Sequence, residues 1–168
     1  IRSYKKDLVD LYVNRDQHSF STQVTDLDNI QNPSIHSLLS SKYHEAQMHR
    51  LNIHAEIPDP VIHNYLTDLD LAVVLGHLMD NAIDGARKAS EGFISLAYFD
   101  EEDCQSFIIE STIADEQVPL SMMSTQLSHP EGGIGVNAVQ DILERYPNTS
   151  FSVRSQNHKM MQILEMRP

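Results

Sequence analysis

The stretch of sequence that decides the fold is DLAVVLGHLMDNAIDGARKA, residues 70–89. Its apolar residues recur mostly three or four positions apart, the spacing that places side chains on one face of an α-helix. Thr67 and Asp68 precede the stretch as candidate N-caps, and Gly92 follows it as a candidate terminator. The pattern therefore predicts a long amphipathic helix that packs against a core. Its inward residues are expected to be Leu71, Val74, Leu75, Leu78, Ala82, Ile83 and Ala86.

A second stripe on the same stretch is polar. Its members are His77, Asn81, Asp84 and Lys88, spaced four, three and four residues apart, so they share one face of the predicted helix. Because that face borders the apolar one, these groups are expected to be half-buried and to need polar partners. A solvated helix face with a satisfied Asn is one interpretation of the stripe, and a ligand site is the other.

Residues 75–85, LGHLMDNAIDG, resemble the N-box of the GHKL ATPases, a group that includes gyrase and the sensor histidine kinases. They are most similar to the kinases that sense peptide pheromones in Gram-positive quorum sensing. In that family the second Asn of the N-box coordinates the Mg²⁺ bound to the ATP phosphates, and Asn81 matches it. His77 replaces the family's first Asn, so the resemblance makes Asn81 and His77 the candidate catalytic residues, with Asn81 the metal ligand. The resemblance also assigns to the nucleotide site Asp84, Gly85 and Lys88.

A second motif is the glycine run GGIGVNAV, residues 132–139, at the start of another predicted helix. Backbone amides at the start of a helix bind phosphate, and glycines let the ligand approach closely. A flexible loop that leads into a helix is the alternative interpretation. The pheromone-sensing family has a similar glycine motif, followed by a helix and often by Tyr-Pro-Asn, which this chain has from Tyr146. The resemblance therefore places phosphates near Gly133 and Gly135.

Several positions depart from the family pattern. In many GHKL ATPases an Asp binds the adenine, and the pheromone-sensing family usually has an Asn instead. Ser111 aligns with that Asn, and its hydroxyl offers a water-mediated contact. Asp115 is the nearest carboxylate that could substitute for it. Residues 118–131 are in the position of the ATP lid, and two family cations at or beside them are replaced by Gln126 and Gly132. In the family these cations face phosphates, so their loss is expected to weaken phosphate binding.

Composition limits the functions that are possible. A chain of 168 residues is long enough for one domain with a core, and none of its apolar runs reaches membrane-spanning length. The single cysteine, Cys104, excludes an internal disulfide and predicts a reducing compartment. The formal net charge of −12 argues against a nucleic-acid partner. Because Ile1 rather than Met begins the sequence, we expect a fragment of a longer chain.

The resemblance also predicts the domain organisation. Residues 1–32 are expected to be the end of a dimerisation helix and a linker, and residues 33–168 the ATP-binding catalytic domain. Ser34 is expected to cap the first helix of that domain, and Lys42 on this helix is interpreted as a surface residue. The order of elements predicts an α+β fold, a Bergerat-type two-layer sandwich of about three helices on one mostly antiparallel sheet. The predicted strands are 51–57, 93–99, 107–113, 149–156 and 159–166, the last two joined by a turn at Asn157-His158.

Three functions are consistent with these residues. The first is the catalytic domain of a two-component sensor histidine kinase, which transfers the γ-phosphoryl group of ATP to a His outside this chain. The second is a degenerate kinase-like module with weak or no nucleotide binding, which acts through protein contacts and which the lost cations favour. The third is another GHKL ATPase, in which His77 takes the place of the base that activates water.

The kinase function implies a defined set of partners. These are ATP or ADP with Mg²⁺, a dimerisation domain of the same protein in a homodimer, and a response regulator. It also implies a cytoplasmic domain whose parent lies in the cell membrane. Whether the domain is an active enzyme depends on how far the missing cations impair phosphate binding.

Overall fold

The computed structural model describes residues 26–117 and 135–168, with side chains from 139 onward in the second range. The helices are α1 (Pro33–Met48), α2 (Asp68–Lys88) and α3 (Gly135–Arg145), and a 3-10 helix (Asp26–Asn29) precedes them. The strands are β1 (Asn52–Glu56), β2 (Phe93–Glu101), β3 (Cys104–Thr112), β4 (Thr149–Gln156) and β5 (Lys159–Met166).

The five strands form one sheet in the order β1-β2-β3-β5-β4. β1 and β2 are parallel, and the other three pairs are antiparallel. The three helices pack on this sheet, and the residues between the two layers form the main hydrophobic core. The predicted α+β sandwich with a mostly antiparallel sheet is therefore confirmed.

Helix α2 lies at the centre of the core. All seven residues expected to face inward are buried, and Met79 is buried with them. Full burial of a large apolar side chain contributes about 1.5–3 kcal/mol, so this one face of α2 supplies a large share of the hydrophobic stabilisation. Thr67 is the N-cap, as predicted, and its side chain accepts a hydrogen bond from the backbone nitrogen of Asp70.

Two of the predicted helix boundaries are wrong. Asn32, not Ser34, caps α1: its side chain accepts hydrogen bonds from the nitrogens of Ser34 and Ile35, and Pro33 takes the first helical position. Helix α2 ends before Gly92, because Ala89 already has an extended backbone. Gly92 instead allows a close approach, since a Cβ atom there would lie 2.3 Å from a methyl carbon of Leu51.

The β4–β5 hairpin closes through the predicted two-residue turn. Asn157 and His158 have φ angles of 53° and 58°, which matches the left-handed pair of a type I′ turn. His158 also contacts the segment after β3: its backbone nitrogen donates to the carbonyl of Glu116 at 3.0 Å, and its Nδ1 lies 3.0 Å from the carbonyl of Ala114. The hairpin therefore fixes the chain up to residue 116.

Residues 26–32 pack against the sheet. Leu27 and Ile30 are buried, and Ile30 forms a parallel bridge with Val61. Asn29 donates a hydrogen bond from Nδ2 to the carbonyl of Ile57 at 2.6 Å. The domain division at residue 33 stays a prediction. Within the two described ranges, every helix is too short or too polar to cross a bilayer.

Candidate functional site

The polar stripe of α2 lies at the edge of the core, as its position beside the apolar face predicts. His77, Asn81 and Asp84 are half-buried, and Lys88 is exposed. Asp84 also lies 3.9 Å from the guanidinium of Arg87, one turn along the helix. Three of the four side chains are thus partly withdrawn from water, where polar groups need partners.

The partner of Asn81 comes from the sheet. Nδ2 of Asn81 donates to Oε1 of Gln162 on β5, with the two atoms 3.4 Å apart. Gln162 is 1% exposed, and its own Nε2 donates to the backbone carbonyl of Leu78 at 3.0 Å. The bond to Gln162 uses the nitrogen of the Asn81 amide and leaves its oxygen for another ligand.

Gly85 and Ser111 lie next to each other, one on α2 and one on β3. A Cβ atom at Gly85 would lie 3.9 Å from the hydroxyl oxygen of Ser111 and 3.1 Å from Cγ2 of Ile113. Ser111 is fully buried, and its hydroxyl has no hydrogen-bond partner among the described residues. An unsatisfied buried hydroxyl costs about 1–3 kcal/mol. This atom is therefore suited to bind a water or a polar ligand group, whereas Asp115 is exposed on the surface.

Lys42 is not the surface residue that the sequence suggested. Its Nζ lies 2.5 Å from Oδ1 of Asp80 and 2.8 Å from Oε2 of Glu45, and its side chain is 20% exposed. Burial alone would lower the pKa of Lys42, but the hydrogen bonds to Asp80 and Glu45 outweigh it and raise that pKa. This ion pair ties α1 to α2 one residue before Asn81.

Replacing Lys42 with Met is expected to lower the free energy of unfolding by about 1 kcal/mol, because Asp80 loses a partly buried cation. The change should be much smaller in an Asp80→Asn background, and urea denaturation of the four proteins of this double-mutant cycle measures the difference. Arg87→Met is a matched control, since the Arg87–Asp84 pair is more exposed and 3.9 Å apart. Equal losses in both backgrounds would show that the two side chains are not coupled.

A second cluster joins the start of α2 to the end of α3. Asp70 accepts from Nη2 of Arg145 at 2.7 Å and from the hydroxyl of Tyr146 at 2.6 Å. That hydroxyl also accepts from the backbone nitrogen of Thr67 at 3.2 Å. The hydrogen bond from Tyr146, and to a smaller extent those from Thr67 and Arg145, lower the pKa of Asp70 against the effect of burial.

This cluster fixes α3 relative to α2. The structure begins α3 at Gly135, within the glycine run that was predicted to open a helix. The other glycine-motif positions, Gly132 and Gly133, lie outside the described residues. The predicted lid, 118–131, and Gln126 within it lie outside them as well.

Metal binding by protein ligands alone is not supported in the described part of the chain. Residues 26–117 and 135–168 contain no group of three or more His, Cys, Asp or Glu side chains that could hold a metal ion. Mg²⁺ commonly takes only one or two protein ligands, with waters and substrate phosphates completing its shell. The amide oxygen of Asn81, which no hydrogen bond between described residues occupies, fits that kind of binding, because oxygen is the ligand that Mg²⁺ prefers.

Comparison with known families identifies the domain that contains this site. Residues 66–167, more than half of the chain, match the family model of the GHKL domain. The chain belongs to the GHKL family. The matched region of this GHKL domain contains α2 with Asn81, the glycine motif and the strand that carries Gln162. No curated protein matches the chain.

Solved histidine kinase structures share the fold of this GHKL domain. The catalytic domain of the histidine kinase ThkA superposes with a TM-score of 0.61 and 13% identity, covering 80% of this chain and 89% of that one. The mycobacterial sensor histidine kinase MprB gives a TM-score of 0.58 at 12% identity, covering 79% and 93%. A complex of ThkA with the response regulator TrrA gives 0.62 at 13%, covering 98% of this chain and 47% of that one.

Three contacts of this GHKL domain were missed by sequence reasoning. They are Gln162 with Asn81, Lys42 with Asp80, and Asp70 with Tyr146. The first contact joins two residues that are 81 positions apart in the sequence, and the third joins two that are 76 positions apart. No local spacing rule connects residues so far apart. The resemblance offered one indication, since the pheromone-sensing family often has a Gln before the aliphatic residues of its last strand.

Proposed function

We propose that this domain binds ATP with Mg²⁺ and acts as the catalytic domain of a sensor histidine kinase. The observation that carries the proposal is the Asn81 amide, held on the N-box helix with its nitrogen on Gln162 and its oxygen available to a cation. The solved kinases share the fold, and the N-box and glycine motifs supply the resemblance in sequence.

The proposed site lies between α2 and the start of α3. Asn81 would ligate Mg²⁺. The buried hydroxyl of Ser111, next to Gly85, would contact the adenine of ATP directly or through a water. Backbone amides near Gly133 and Gly135 would bind phosphates at the start of α3. Mg²⁺, when bound, offsets the negative charge of the phosphates, which this acidic chain otherwise repels.

Positioning is the main work that these residues would perform. In phosphoryl transfer, enzymes hold the phosphates and the acceptor in line and stabilise charge, with little covalent chemistry of their own. His77, Asp84 and Lys88 share the stripe with Asn81, and they are proposed to contact the nucleotide or its hydration shell. The acceptor His is proposed to lie on a dimerisation domain of the same protein.

Further partners are proposed from the resemblance. The complex of ThkA with its response regulator supports a response regulator as the partner of the parent protein here. Residues 1–32 are proposed as the end of the dimerisation helix and its linker, in a homodimer. A peptide-pheromone receptor in the cell membrane, with this domain in the cytoplasm, is the proposed context.

The other two functions have less support. The degenerate module is not favoured, because Asn81, the proposed Mg²⁺ ligand, has a partner in the buried Gln162 that engages only its nitrogen. The two positions at which family cations are replaced, Gln126 and Gly132, lie outside the described residues. No contact among the described residues supports His77 as the base that activates water for hydrolysis.

Titration of the chain with ADP in excess Mg²⁺ and in excess EDTA tests the proposal. We expect binding in Mg²⁺ that weakens strongly in EDTA, because the metal links the phosphates to Asn81. The absolute affinity is expected to be low, since two family cations are missing. The absence of binding at millimolar ADP in Mg²⁺ would contradict the proposed function.

A further inference from the structure

We propose that Gln162 is a positioning residue that determines which atom of the Asn81 amide faces a bound cation. This inference rests on the proposed function, in which Asn81 ligates Mg²⁺. Gln162 contacts α2 twice within one helical turn, at the side chain of Asn81 and at the backbone carbonyl of Leu78. It is 1% exposed, so water cannot easily replace either contact.

The chemistry of the Leu78 carbonyl sets the direction of both bonds. A backbone carbonyl only accepts hydrogen bonds, so Gln162 must present its Nε2 to Leu78, as it does at 3.0 Å. Oε1 of Gln162 is then the atom that faces Asn81. An amide oxygen only accepts, so Asn81 must present Nδ2 to it, as it does at 3.4 Å. Oδ1 of Asn81 therefore takes no part in the contact with the sheet.

The reversed amide would be the wrong group for a cation. If the Asn81 side chain turned over, its oxygen would face the Gln162 oxygen and its N–H groups would face the metal. An amide N–H₂ offers donors and no lone pair to Mg²⁺. Metal ligands are commonly oriented by such outer partners, whose mutation lowers metal affinity or activity about 10–100-fold.

The backbone around Gln162 holds the partner in place. β5 lies between β3 and β4, and Gln162 pairs in register with Ile109 on one side and Val153 on the other. A residue in an interior strand has its backbone fixed on both sides. The sheet thus controls the ligand atom that α2 offers, and the orientation is set before nucleotide binds.

The test compares ADP affinity in excess Mg²⁺ and in excess EDTA for Gln162→Met and the parent chain. Met keeps the length of the side chain and removes both hydrogen bonds. We expect affinity in Mg²⁺ to fall about 10–100-fold, with affinity in EDTA little changed, so the ratio of the two falls. A purely structural loss would change the stability of the protein without changing this ratio.

Gln105→Met is the matched control. Gln105 is also fully buried, on β3, where it accepts from the hydroxyl of Tyr98 at 3.3 Å and donates to the carbonyl of His63 at 2.5 Å. It pairs with Met166, four residues along β3 from Ile109, the partner of Gln162. Its loss should lower stability and leave the ratio of affinities unchanged.

The outcomes separate the inference from the proposed function. If the parent binds ADP more tightly in Mg²⁺ and Gln162→Met keeps the same ratio, the positioning role is wrong and the nucleotide site stands. If the parent shows no Mg²⁺-dependent binding, the proposed function is wrong, and the inference falls with it.

A measurement on the parent chain covers the case in which Gln162→Met does not fold. Nuclear magnetic resonance of the Asn81 side-chain amide, with and without Mg²⁺ and ADP, reports on both its carbonyl group and its Nδ2 protons. We expect the Cγ resonance to shift on metal binding while the Nδ2 protons remain protected from exchange by Gln162. Loss of that protection when Mg²⁺ and ADP bind would overturn the inference.

Discussion

Replacing Asn81 with Ala is expected to abolish the Mg²⁺-dependent part of ADP binding and to leave the domain folded. The substitution removes the proposed ligand oxygen itself, so the loss should exceed the effect of an outer partner and reach at least about 100-fold. The fold should tolerate it, because the side chain is only half-buried and its bond to Gln162 is long, at 3.4 Å. Calorimetric titration in Mg²⁺ and in EDTA measures the effect.

Asn64→Ala is the control for this substitution. Asn64 is also half-buried and makes one side-chain hydrogen bond, to Asp68 at the first turn of the same helix. With a rise of about 1.5 Å per residue, that turn lies roughly 20 Å from Asn81 along the helix. An Asn81→Ala protein that binds ADP in Mg²⁺ as tightly as the parent would rule out Asn81 as the ligand.

Replacing Asp70 with Asn is expected to lower the free energy of unfolding by about 1.5–3 kcal/mol at neutral pH, the range for hydrogen bonds to charged groups. The carboxylate is well placed for this effect, because its side chain is 10% exposed and it accepts from both Arg145 and Tyr146. A negative charge in the first turn of α2 also interacts favourably with the helix dipole. Urea denaturation measures the loss.

The pH dependence of the Asp70 effect has a definite sign. The pKa of Asp70 is lowered from its usual value of 3.8, chiefly by the hydrogen bond from Tyr146. A lowered pKa in the folded state means that the stabilisation is present above pH 3.8 and is lost as the pH falls through the folded-state value. The difference in stability between the parent and Asp70→Asn should therefore shrink as the pH falls from 3.8 through the folded-state pKa of Asp70.

Asp141→Asn serves as the control for charge alone, since Asp141 is an exposed carboxylate on α3. It should change the free energy of unfolding by no more than about 0.5 kcal/mol at neutral pH. A constant difference between the parent and Asp70→Asn across the acid range would show that the charge of Asp70 is not what joins α2 to α3.

The features that the sequence predicted correctly depend on neighbours in the chain. The inward face of α2 follows from helical spacing, and its start follows from Thr67, a residue that caps through its own side chain. The hairpin follows from two alternating segments around Asn157 and His158, with both residues left-handed as a two-residue turn requires. Such local rules need no knowledge of the rest of the fold.

The features that the sequence did not predict depend on distant parts of the chain. Lys42 has the composition of a surface residue, and only the packing of α1 on α2 brings it to Asp80. The choice of Asn32 over Ser34 as a cap is a local exception, which Pro33 between them decides by taking the first helical position. The contact of Gln162 with Asn81 depends on a sheet register that no sequence spacing sets.

The contacts on either side of residues 118–134 have a consequence for how the sequences of such domains can change in evolution. On one side the hairpin residue His158 holds the carbonyl of Glu116, and on the other Arg145 is fixed on Asp70. A substitution between these two anchors removes neither of them. Selection can therefore change the residues proposed to meet the phosphates while the anchors of the fold persist. In this chain, foldability and the proposed phosphate binding are open to separate evolutionary pressures.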